Sequence, residues 1–226
     1  MQREFALAVT PVFNTALWWI ETITDQNRPA LRIEEIKDGH AAISGKINEA
    51  RKKLEPRSRK TWELIQYALV AWIDEQCRSL NWEGRNWWEN NSLEVNYFAT
   101  KNAHDAFYEK AEESLQNRNA IEVYFLCVLL GFRGIYMDLR HQNPAYVERA
   151  VDFVNRRNLP TDLREWLKRA ASMIPLGQTS GSLEVVDREG MGALPLAARA
   201  SFVSSLLFAT FAFGGLFAYL LFAGLR

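Results

Sequence analysis

Apolar residues in this chain recur at steps of three and four almost throughout, and runs of strict alternation that would make strands are absent, so the pattern predicts an all-α protein. From Ile33 the series Ile33, Ile36, His40, Ile43, Ile47, Ala50, Leu54 forms one face of an amphipathic helix that Pro56 ends. A second helix is expected over 57–80, with Trp62, Ile65, Leu69, Trp72 and Ile73 facing the core, followed by a polar, Trp-rich connection, NWEGRNWWENN. Shorter helices are expected over 92–100 and 103–116. Asn119 and Glu122 stand as N-cap and N3 residues ahead of 121–130, where every other position is apolar. That run is too short to cross a bilayer, which places it as the central buried helix, broken by Gly131 and Gly134. Pro144 opens a helix over 145–157 with Val147, Ala150, Val151 and Val154 on one side, and Pro160 separates it from an amphipathic piece over 161–173.

The pattern changes near the C-terminus. Between Arg199 and Arg226 no charged residue occurs, and a helix over 200–225 reaches roughly 39 Å at 1.5 Å per residue, more than the roughly 30 Å of bilayer hydrocarbon. The expected organisation is a helical body over 1–174, a Gly-rich linker over 175–199 and a single transmembrane anchor over 200–225. Within the anchor, Ser201, Ser205 and Ala209 are spaced by four, as are Gly214 and Ala218, a spacing that lets two membrane helices approach closely. The start, MQREFALAVTPVF, lacks the basic region and continuous apolar core of a secretory signal, so the body is expected to stay in the cytoplasm. Cys77 and Cys127 fit that compartment as buried free thiols.

Charge and chemistry narrow the function. All 27 acidic residues and 25 of the 27 basic ones precede Arg199, so the chain up to there is close to neutral and has no nucleic-acid footprint. The stretch GHAAISGKI fails as a phosphate loop because its first glycine is one place early and Ile47 replaces the metal-binding hydroxyl. His40, His104 and His141 are scattered, neither cysteine has a Cys-x-x-Cys partner, and no nucleophile elbow is present; no enzyme, metal or cofactor is therefore expected. Two polar clusters stand out. Asp74-Glu75 follows the apolar Ala68 to Ile73 and reads on pattern as a solvated helix face. Gly131-Phe132-Arg133-Gly134 reads as a helix C-cap needing positive φ at one glycine, with Arg133 either meeting the last carbonyls or facing a partner.

These segments together resemble the DotU family, the inner-membrane component called TssL in type VI secretion and IcmH in type IVB systems. The resemblance is carried by YALVAWIDE (67–75), LEVNYF (93–98), AFYEKAE (106–112) and above all IEVYFLCVLLGFRGIY (121–136), in that order and spacing; His104-Asp105 stands where the family usually has Gly-Glu. It implies a cytoplasmic body of two three-helix bundles forming a hook with a cleft, a single C-terminal membrane span and no catalysis. It further implies pairing with an IcmF-like inner-membrane protein, self-association, and docking of cytoplasmic baseplate proteins, with Asp74, Glu75 and Arg133 as partner-binding residues and Gly131, Phe132 and Gly134 as a structural motif. Because the chain starts almost at its first helix, type VI is expected over type IVB; a generic tail-anchored adaptor or a helical enzyme is the competing class. No periplasmic peptidoglycan-binding domain is expected after Arg226.

Overall fold

The computed structural model describes residues 1–174, and among these every regular element is a helix. The expectations for 175–199 and 200–225, including the spacing of Ser201, Ser205, Ala209, Gly214 and Ala218, lie outside the described residues. No described helix is long and apolar enough to cross a membrane.

The chain is organised around α3 (Arg59–Ser79), whose residues 64–75 are buried without a break. Its YALVAWI stretch is apolar on every side, and a helix apolar all round must be covered all round. Ser58 starts it, its Oγ accepting from Thr61 N–H at 3.4 Å. On one flank α3 is packed by α1 (Arg3–Thr24) and α2 (Ile33–Leu54), which also pack on each other. On the other it meets α6 (Ala103–Glu113) and α7 (Arg118–Leu129), with α10 (Leu163–Met173) laid on α7. Both helix groups therefore share α3. The short α4 (Arg85–Asn90) and α5 (Leu93–Phe98) also rest on it, while α8 (Ile135–Asp138) packs with α9 (Pro144–Arg156).

Four expectations about elements are corrected. The central buried helix is α3, not 121–130: α7 buries Ile121, Val123, Tyr124, Cys127 and Val128 but leaves Leu129 56% exposed. The N-cap of α7 is Asn117, whose Oδ1 accepts from Ala120 N–H at 3.2 Å; Asn119 instead accepts from the Gln2 N–H at 2.7 Å and ties down the chain start. The stretch expected as a polar, Trp-rich connection holds the helix α4 and packs inward: Trp82 and Trp88 are buried and join Trp19 of α1 in one cluster with ring centroids 5.9 to 6.3 Å apart. Ile33 and Val151 lie exposed rather than on the buried faces of α2 and α9.

The loop joining α1 to α2 is held by a carboxylate. Glu83 pairs with Arg28 Nη1 at 2.7 Å and also accepts from Leu31 N–H, and the guanidinium holds its pKa down to about 2.

Candidate functional site

Asp74 and Glu75 close the buried stretch of α3, and neither is a solvated face: Asp74 is 0% exposed and Glu75 9%. The expectation of a solvated helix face is therefore corrected. A buried carboxylate needs donors, and loops supply them. Asp74 Oδ1 accepts from Trp88 Nε1–H at 2.8 Å and from Leu93 N–H at 3.0 Å, and Oδ2 accepts from Glu94 N–H at 2.8 Å. Leu93 and Glu94 begin α5, where backbone N–H groups have no helical partner, so Asp74 satisfies the start of that helix while fastening α4 beside it. Burial pushes its pKa up to about 6, a rise that the N–H donors oppose without cancelling.

Glu75 points into the turn after α7. Its Oε1 accepts from Arg133 N–H at 2.6 Å and its Oε2 from Gly134 N–H at 2.8 Å, with burial again raising the pKa against those bonds. Gly131 has φ +112° and Gly134 φ +50°. A Cβ on Gly134 would lie 2.7 Å from the His104 carbonyl oxygen, so both its conformation and its space exclude a side chain. Phe132 is buried and stacks on Phe107 with centroids 3.8 Å apart. Arg133 is exposed, and its Nη1 donates to the Val128 and Phe132 carbonyls at 3.0 and 2.9 Å, meeting the end of α7. His104 and Asp105, at the start of α6, join a network across α8 and α9: His104 Nε2 lies 3.1 Å from Asp138 Oδ2, and Arg149 bridges Asp138 and Asp105.

A third buried carboxylate, which the sequence reading missed, extends this system. Glu94 Oε1 accepts from Thr100 Oγ1–H at 2.9 Å and Asn102 N–H at 2.8 Å, fixing the link from α5 to α6. That link passes through Ala99 at φ +54°, a left-handed conformation in a residue with a Cβ. Thr100 and Asn102, with Tyr97 and Phe98 of α5, form one wall of a cleft of about 640 Å³ whose other lining comes from the end of α2, the start of α3 and α6. Asp74 thus orients α5, and Glu94 carries that placement on to the cleft wall. Among the described residues no group of His, Cys, Asp or Glu is placed to hold a metal ion, and Cys77 and Cys127 are buried free thiols.

The described residues thus form an all-α body whose loops are fastened by buried carboxylates beside an open cleft. The particular family follows from comparison: the chain belongs to the DotU family, since the family described as type VI secretion system protein DotU matches residues 12–223. No curated protein sequence matches it. In fold it is similar to the crystal structure of SciP/TssL of the type VI secretion system from enteroaggregative Escherichia coli 042, with a TM-score of 0.53, 16% identity, and 81% of this chain and 96% of that one covered. It is likewise similar to the cytoplasmic domain of TssL from Acinetobacter baumannii, with a TM-score of 0.50, 19% identity, and coverage of 74% and 98%.

Proposed function

We propose that this chain is the single-pass inner-membrane component of a type VI secretion membrane complex. Its helical body lies in the cytoplasm as a hook of two bundles, pairs with an IcmF-like protein, self-associates, and offers the cytoplasmic baseplate a docking surface. The observation that carries this reading is the family match running from residue 12 to 223, through the helical body and on into the charge-free stretch. In this reading Asp74 and Glu75 are positioning residues. Buried as they are, they serve docking by holding in place α5 with its flanking residues at 91–102 and the turn at 131–134, and Arg133 and the cleft wall present the surface itself.

The test is functional. In cells carrying the secretion machine with a fluorescent contractile sheath, removing this chain should stop sheath assembly at the membrane. The full chain should restore it, and a version ending near Gly190 should not. Normal sheath assembly without the chain would overturn the proposal.

A further inference from the structure

The cleft beside α5 holds polar groups that the fold leaves without partners. Gln66 lies midway along the buried stretch of α3, is 6% exposed and lines the cleft, yet among the described residues its amide makes no hydrogen bond. Trp62, one turn earlier on α3, lines the same cleft with a buried Nε1–H that has no acceptor. The Trp62 Nε1–H is sealed beneath the wall, whereas the Gln66 amide opens to the cleft with no protein partner among the described residues and is free to bond a ligand there.

The charges in the cleft divide unevenly. Arg51 is matched by Glu55 at 2.8 Å and Arg59 by Glu63 at 2.8 Å. Lys60 and Lys110 have no carboxylate within ion-pair distance, and the Lys110 ammonium sits 5.0 Å over the Tyr67 ring. The opposing unmatched group is Glu113 alone, an exposed residue at the end of α6. Donors without acceptors therefore outnumber acceptors without donors.

We infer that this cleft binds an extended acidic peptide segment of a partner protein, with Lys60 and Lys110 taking a carboxylate and Gln66 the peptide backbone. A side-chain amide carries one acceptor and donors side by side, which matches the N–H and C=O of a peptide group. Tyr97 and Phe98 offer aromatic surface for an apolar neighbour of the acidic residue. The ammonium groups act as charge-assisted donors and orient the segment.

The experiment uses the full chain in detergent micelles. One probe is a fluorescein-labelled peptide, acetyl-Gly-Asp-Glu-Leu-Asp-Glu-Gly-amide; the other is its counterpart with Asn and Gln in place of Asp and Glu. The acidic peptide should bind saturably and shift the Trp62 indole N–H resonance, assigned with Trp62→Phe. Its counterpart should bind at least about tenfold more weakly, equivalent to ~1.4 kcal/mol. Lys60→Glu combined with Lys110→Glu should abolish binding at an unchanged melting temperature, and Gln66→Met should weaken it severalfold while the fold is retained. Absence of saturable binding, equal binding of both peptides, or full binding by the double charge reversal would overturn the inference. So would complete competition by free glutamate at the peptide's own concentration, which would assign the cleft to a small carboxylate instead.

Discussion

Asp74 ionises near 3.8 in the unfolded chain and near 6 in the fold, so between those pH values only the folded state holds the proton. Its contribution to stability is therefore greatest below about pH 4, falls as pH rises towards 6, and is flat above that; the difference is about 3 kcal/mol. Chemical denaturation of the full chain in detergent between pH 4 and pH 7 should show this slope, and Asp74→Asn should flatten it. Replacing Asp74 and Glu75 together by Lys would bury ammonium groups against five N–H donors and no acceptor, destabilising by about 3–5 kcal/mol or more. Any partner binding lost in that variant has to be read beside its melting curve. Glycines give a matched contrast. Gly134→Ala should destabilise by more than about 2 kcal/mol, since the Cβ meets a backbone carbonyl at positive φ. Gly45→Ala, in mid-helix with nothing within 4 Å of the new carbon, should stabilise by roughly 0.5–1 kcal/mol. Thermal melts of the two variants should move in opposite directions.

Between elements, α4 and α5 depend on one bond network. Trp88→Phe keeps most of the buried ring but removes a donor from Asp74, and should cost about 1–3 kcal/mol and raise the Asp74 pKa further. Hydrogen exchange should then speed up at the start of α5 before it does in α3. Ala99→Gly should act the other way, gaining about 1 kcal/mol by relieving the left-handed residue that ends α5. Much of this arrangement was legible in the sequence. Pro56, Pro144 and Pro160 marked the boundaries around α2, α3, α9 and α10, and the 3.6-residue period supplied the buried face of α2. The first helix carries a stripe of Phe5, Ala8, Val12, Ala16 and Trp19 but holds Pro11 in its interior, a breaker by local rules that tertiary packing overrides. The carboxylate pair was misread for a different reason. Its donors lie 14 to 20 residues away for Asp74 and 58 to 59 for Glu75, and no local pattern reveals such partners. A signal was present all the same: a run apolar on every side implies a helix covered all round, and charges that continue it are covered too.

In the proposed function this body hangs on a membrane anchor over 200–225. The full chain should resist alkaline extraction from membranes, and protease added outside intact spheroplasts should leave the body uncut. Ser205→Leu with Gly214→Leu should weaken self-association in a membrane two-hybrid assay if the anchors pair through their small residues. An unchanged signal would move the self-contact to the body. The most direct measurement is affinity purification of the full chain from its native membranes, with quantitative mass spectrometry of what accompanies it. An IcmF-like inner-membrane protein and cytoplasmic baseplate proteins should accompany it in reproducible proportion, with the baseplate proteins reduced in Gly134→Ala, where the new Cβ should displace the loop that Glu75 holds. Recovery of the chain from membranes without either partner would contradict the proposed function.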